Sequence, residues 1–419
     1  MMKLAAGFLA FAGIVANARA QNPPTSSAMT RKIDAIFAPL VTPNSPGVAV
    51  LVVKDGRKLF ERGYGLRDLH SAAKIDPRTN FRLASCSKQF TAMAIMLLVN
   101  DGKLRYDQKL TDIFPEFPAY GKSISVRNLL NHTAGLQDYE TLMEQEQPGT
   151  KAKWTADHQI QDAEVLTLLE QTDHGLFPPG AQWYYSNSGY VVLGLIVAKV
   201  SGQFFPEFLH KRIFAPLKMD HTVAYVKGQK EITNRAYGHT KEGTTWQQTD
   251  QSPTSATLGD GGIYSSLDDL AKWDEALRSN KLLSKEEMQT ALTPVTLPAA
   301  SANGDTQPRW PANSDRPEGT PVSYGFGWFL DPYRTYPRMW HYGETMGFRS
   351  YIVRFTANKT AAIQATADRA ADAGLNDHPG SLTKDRLADI TIIALCNRTD
   401  ISPESLALQI ANLLLAAPK

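Results

Sequence analysis

Strand-like runs cluster at the two ends of this 419-residue chain and are scarce between them. Val48-Ala49-Val50-Leu51-Val52-Val53 is a β-branched apolar run, Lys54-Asp55-Gly56 reads as a turn, and Lys58-Leu59-Phe60-Glu61 leads back. That pattern predicts a hairpin. Strand character returns late, at 324–329, 339–341, 350–355 and 390–395. From about 105 to 318 the pattern is mostly helix and loop, with clear helices from Ser188 to Val200, stopped by Gly202, and from Ser266 to Leu277. This layout suggests one sheet built from both ends of the chain, with a helical lobe inserted. Helices should cover it. Ile33, Ile36, Phe37 and Leu40 recur at helical spacing, and Ser402-Pro403-Glu404 opens a last helix whose stripe is Leu406, Ile410 and Leu413.

The first twenty residues read as a leader rather than as part of the fold. Lys3, an apolar run from Leu4 to Ala16 and Ala18-Arg19-Ala20 have the layout of a secretory signal. No cysteine directly follows it, so no lipid anchor is expected there, and a periplasmic or secreted protein without a membrane anchor is predicted. Residues 1–20 carry Lys3, Arg19 and no acid, which leaves 42 of the 44 basic residues against 42 acidic ones. A formal charge of zero gives no reason to expect nucleic acid or an anionic membrane as partner. The two cysteines, Cys86 and Cys396, are read as buried free thiols, since a single pair does not make a disulfide scaffold.

Three short motifs carry the chemistry. Ser85-Cys86-Ser87-Lys88 opens a long helix that is apolar nearly all round, from Phe90 to Leu98. Serine and lysine three apart share a helix face, and burial lowers a lysine pKa toward base function. The same Ser-x-x-Lys spacing occurs at Ser71–Lys74 and Ser381–Lys384, but in a polar turn and a charged loop. Tyr185-Ser186-Asn187 is the chain's only Tyr-x-Asn. It offers a phenol and an amide just before a helix. His341-Tyr342-Gly343 ends one strand and faces the next, and Gly343 would let a substrate backbone approach that edge. No histidine-rich metal motif and no Gly-x-Ser-x-Gly occur, so neither metal, cofactor nor an α/β-hydrolase site is expected. Arg349, just after this strand end, has two readings, a ligand for a substrate carboxylate or, preferred, a strand-edge salt bridge.

With these motifs in this order, the chain resembles the serine β-lactamase and penicillin-recognising superfamily, in particular its class C, peptidase S12 and esterase branch. Val126 to Leu136 (VRNLLNHTAGL), Phe214 to Met219 (FAPLKM) and Gly261 to Leu270 (GGIYSSLDDL) extend the likeness, which covers roughly residues 30 to 415. The resemblance implies an α/β, β-lactamase/transpeptidase-like fold, with an antiparallel sheet built from both chain ends and flanked by helices. The sheet lobe would take about 30–82 and 320–419, the inserted mostly helical lobe about 83–319, and the hydrolase domain 21–419. It also implies roles. Ser85 would be acylated, with Lys88 and Tyr185 as base and proton shuttle. Asn187 would orient the substrate amide and Lys88, the N–H groups of Ser85 and Glu344 would form an oxyanion hole, and His341 would stand in place of the lysine of Lys-Thr-Gly.

Two departures shape the expected substrate. His341-Tyr342-Gly343-Glu344 exchanges a cation for an imidazole and adds a carboxylate, which disfavours a β-lactam's carboxylate. The stretch 358–389 looks like an inserted loop. The expectation is therefore an exported serine hydrolase acting on an ester or peptide bond, with small esters, D-amino-acid peptides and peptidoglycan stem peptides as candidates. A penicillin-binding DD-carboxypeptidase or class C β-lactamase is the nearest alternative. A non-catalytic envelope binding module is the alternative from another class.

Overall fold

The computed structural model describes residues 27–415 apart from 41, 147–151, 230, 300–305, 313–315, 335 and 357–388. The leader at 1–20 and nearly all of the 358–389 stretch lie outside the described residues, as does Ser381–Lys384. Val48–Lys54 (β1) and Arg57–Tyr64 (β2) form the expected hairpin. Its turn residues, Asp55 and Gly56, have φ of 51° and 74°, the left-handed pair that a tight two-residue hairpin turn needs. Arg338–Thr345 (β3), Phe348–Phe355 (β4) and Ile390–Cys396 (β5) complete an antiparallel sheet ordered β3-β4-β5-β1-β2. Val48 pairs with Cys396 on one side and Tyr64 on the other, so the two ends of the chain meet in its middle.

Successive strand residues face opposite sides of a sheet. Val48, Val50 and Val52 point into one apolar cluster, with Ile392 and Cys396, and helices Ser27–Phe37 (α1) and Pro403–Leu415 (α5) cover it. Ala49, Leu51 and Val53 point into the other, where Lys88–Asn100 (α2), Asn187–Ser201 (α3) and Leu267–Arg278 (α4) lie. Cys86 belongs to the second cluster and Cys396 to the first, so the sheet separates them and both are free, buried thiols. The helix α2 is buried from Lys88 to Leu98, packs on α3, and is followed by Gly102 in the left-handed region at φ 69°.

Some sequence expectations need correction. Tyr324–Phe329 does not form a sheet strand. It folds back on itself, with Gly325 N–H donating to Trp328 O at 2.9 Å, because Gly327 (φ 78°) turns against the α2 backbone. A Cβ on Gly327 would come within 2.8 Å of Gln89 Cα. In α5 the buried face runs through Leu406, Ala407, Ile410, Ala411 and Leu415, while Leu413 is half-buried. The middle of the chain also carries short strands, including a three-stranded sheet of Phe81–Arg82, Ile263–Ser265 and Val223–Ala224. Among the described residues no single helix is long and apolar enough to cross a membrane.

Candidate active site

Ser85 lies in a single 3-10 turn, Ala84–Ser87, directly before α2. With three residues per turn, side chains three apart eclipse each other. Lys88 Nζ accordingly reaches Ser85 Oγ at 2.8 Å. Ala84 enters this turn at φ 48°, a left-handed conformation that costs a non-glycine residue on the order of 1 kcal/mol. Its surroundings hold it there. Leu83 N–H donates to Ile263 O at 2.8 Å, Ser87 Oγ accepts from Ile263 N–H at 3.2 Å, and Thr91 donates to Gly259 O at 2.6 Å. The glycine-rich segment 259–263 is thus stapled to the nucleophile turn. Ser71, by contrast, donates to Asp68 in an exposed turn.

Lys88 is wholly buried. Its Nζ also donates to Asn187 Oδ1 at 2.8 Å and to Asp260 O at 3.1 Å. Three acceptors match the three N–H bonds of an ammonium; a neutral amine in the same place accepts the Ser85 hydroxyl proton instead. Burial lowers the Lys88 pKa from 10.5 to about 8, against opposing pulls from Asp260, Cys86 and Glu140. Asn187 is the first residue of α3, whose N-cap, Ser186, accepts from Gly189 N–H at 3.1 Å. The helix start therefore fixes the amide that holds the lysine.

Tyr185 precedes that cap, and its ring centroid lies 4.9 Å from Lys88 Nζ. Its hydroxyl is buried and faces Ser85 without a hydrogen bond of good geometry. Burial raises this phenol well above its ordinary pKa, Tyr342 adds to the rise, and Ser85 opposes it. His341 is brought to the same cluster, 6.2 Å from Tyr185 between ring centroids, but it is fully buried. Its Nδ1 lies 2.6 Å from Tyr342 O and its Nε2 3.1 Å from Tyr324 Oη, so both ring nitrogens are occupied by the protein. Burial, helped by Lys88, lowers its pKa to about 3. The imidazole is neutral and enclosed among aromatic rings, with no solvent-exposed face.

Gly343 also serves a packing purpose that the motif did not suggest. A Cβ there would sit 2.0 Å from Leu83 O and 3.3 Å from Ala84 Cβ. The missing side chain lets β3 close on the Ser85 turn. Glu344 is the next residue of β3 after this contact. The Glu344 side chain pairs with Arg349 at 2.6 Å, the strand-edge bridge expected for that arginine. β3 is an edge strand, and a cleft of about 500 Å3 adjoins it, lined by Arg316, Tyr342, Gly343, Glu344, Arg349 and Glu404 among others. Backbone groups along such an edge can pair with an extended ligand.

Sequence reasoning assigned no role to Asp260, Tyr139 or Tyr324. Asp260 is 6% exposed, supplies the third lysine acceptor through its carbonyl, and has Tyr139 Oη 3.4 Å from one carboxylate oxygen. It directly precedes the Gly261-Gly262 pair, which was the available signal. Tyr324 lies in the segment 324–329 that reads as a strand, with nothing local to single it out.

The beta-lactamase family profile matches residues 33–415. Penicillin-binding protein 4* of Bacillus subtilis (strain 168) is 31% identical over 329 residues, 75% of this chain and 66% of that protein. The putative penicillin-binding protein PbpX of the same strain is 32% identical over 244 residues, 58% of each. The chain thus spans 66% or less of the length of these curated relatives. Among solved structures, the octameric penicillin-binding protein homologue from Pyrococcus abyssi matches with a TM-score of 0.67 at 23% identity, over 93% of this chain and 76% of that one. The D-amino acid amidase from Ochrobactrum anthropi SV3 matches at 0.66 and 22%, over 92% and 99%. At these identities the structural matches speak for the fold.

Proposed function

The chain belongs to the beta-lactamase family, and on that premise we propose that it is an exported serine hydrolase that cleaves an ester or peptide-type amide bond through an acyl-enzyme on Ser85. The observation that carries this reading is the buried Lys88, 2.8 Å from Ser85 Oγ, with its pKa lowered to about 8. Neutral Lys88 takes the Ser85 proton as Oγ attacks the substrate carbonyl. The backbone N–H groups of Ser85 and Glu344 receive the oxyanion, a contribution of about 3 kcal/mol per donor in sites of this kind. Tyr185 relays a proton to the leaving group, and Asn187 holds Lys88 and the substrate amide. Water then takes the leaving group's place and frees Ser85.

Small esters, D-amino-acid peptides and peptidoglycan stem peptides are the proposed substrates. The relatives named as penicillin-binding proteins and the D-amino acid amidase fold support that choice. Export rests on the signal-like layout of residues 1–20. A penicillin-binding carboxypeptidase is the second reading, favoured by the same relatives. Against rapid β-lactam turnover stand the neutral His341 and an Arg349 already engaged by Glu344.

Intact-mass spectrometry after incubation with esters, D-peptides and β-lactams tests the proposal. An acyl adduct on Ser85 that is absent from Ser85→Ala is expected. Turnover undiminished in Ser85→Ala would overturn it. Nitrocefin hydrolysis faster than p-nitrophenyl acetate hydrolysis would favour the β-lactamase reading.

A further inference from the structure

His132 stands at the centre of the aromatic cluster and plays no part in the chemistry above. It is 1% exposed, and its backbone is left-handed, with φ 63°. Its main-chain carbonyl accepts from Tyr184 N–H at 2.9 Å, and its ring Nδ1 accepts from Ser186 N–H at 3.1 Å. Both peptide N–H groups beside Tyr185 are therefore held by this one residue. The imidazole also lies 4.4 Å from the Tyr185 ring and 4.6 Å from Tyr324, whose hydroxyl engages His341. Ser186 caps α3, which carries Asn187. The bracket thus reaches the phenol and the amide together.

We propose that His132 is a positioning residue: by clasping the backbone on either side of Tyr185 and packing against its ring, it sets the phenol against Ser85 and Lys88. The requirement is chemical as well as spatial. Nδ1 must be an acceptor, so the ring is neutral with its proton on Nε2. A phenylalanine would fill the same space but leave the buried Ser186 N–H without a partner. An asparagine would return an acceptor at the same distance from the backbone and tolerates left-handed φ.

This inference rests on the acyl-enzyme reading, so Ser85→Ala is the control. If Ser85→Ala keeps its turnover, that reading fails, whatever His132 does. The test compares His132→Phe, His132→Asn, Tyr185→Phe and the double variant H132F/Y185F on p-nitrophenyl acetate and on an aminoacyl p-nitroanilide, whose amine must be protonated to leave. A misplaced proton relay should slow the anilide about 100-fold, the lower end of general acid catalysis, and the activated ester much less. His132→Asn should stay within about tenfold of the wild type on the anilide, keeping the acceptor. In the Tyr185→Phe background, His132→Phe should add less than about threefold, because residues acting through one another are not additive. Losses that multiply would overturn the proposal, as would equal slowing of ester and anilide. If His132→Phe does not fold, His132→Asn decides, and an anilide loss as large as that of Tyr185→Phe overturns it.

Discussion

Replacing Lys88 with arginine separates a lysine that works as a base from one that merely supplies charge. The amine has no solvent exposure, and burial brings its pKa from 10.5 to about 8. At pH 7 about 9% of it is then neutral, against about 0.03% for a lysine left at 10.5. The structure thereby supplies about 300-fold more free base, worth about 3 kcal/mol. A guanidinium cannot be deprotonated in this range. Lys88→Arg should lose at least that factor in kcat/KM for p-nitrophenyl acetate, with Ser85→Ala as the blank for spontaneous hydrolysis. Wild-type kcat/KM should climb about tenfold per pH unit below the Lys88 value and level near pH 8. The same shift has a stability consequence of fixed sign. A folded value below the unfolded one means a contribution that is present above pH 10.5 and lost as pH falls through about 8. The denaturant midpoint of the wild type relative to Lys88→Met should therefore rise across that window. A pH profile flat from 6 to 9, or one still rising at 10.5, would refute the argument.

Two further substitutions probe the strand beside Ser85. Gly343→Ala places a methyl 2.0 Å from Leu83 O, so β3 must move off the nucleophile turn. Acyl-enzyme formation followed by mass should fall by about 100-fold or more while the fold persists, and an unchanged rate would mean the Glu344 N–H is not an oxyanion donor. Glu344→Gln removes the carboxylate paired with Arg349. Acylation by a penicillin, which carries a carboxylate, should then speed several-fold and lose that gain in high salt, whereas p-nitrophenyl acetate hydrolysis should hardly change.

The sequence made legible what depends on local pattern. The β1–β2 hairpin, the late strands and α3 follow from periodicity and stop signals, and these alone suggest a sheet joined from both ends. The lysine's burial could be inferred from the helix around it, since an all-round apolar helix has no wet face to offer. Tertiary contacts were harder to read. The missing Cβ of Gly343 serves Leu83, some 260 positions earlier, and nothing near Gly343 indicates that. Tyr324–Phe329 had strand composition, yet Gly327's seat against Gln89 turns it back. Strands of two or three residues, such as Phe81–Arg82, are too short to carry a period. Asp260 acts through its carbonyl, which any residue type could provide.

The electrostatics also divide the labour between Lys88 and Tyr185, which the family likeness left shared. Burial drives His341 to about 3 and His132 well below its ordinary value, so neither imidazole carries charge near neutrality. The phenols of Tyr185 and Tyr324 are pushed well up and stay protonated. Among the groups in contact with Ser85, Lys88 is left as the one whose charge changes near physiological pH. A protonated phenol cannot take the serine proton, but it can pass one on. In the mechanism proposed for this chain, Lys88 is therefore the base of the resting state. In that mechanism Tyr185, whose ring lies 4.9 Å from Nζ, acts later, its hydroxyl passing on to the departing group the proton that the ammonium formed at Lys88 must give up. An activated leaving group needs no such return, so esters and amides should depend on Lys88 alike and on Tyr185 unequally.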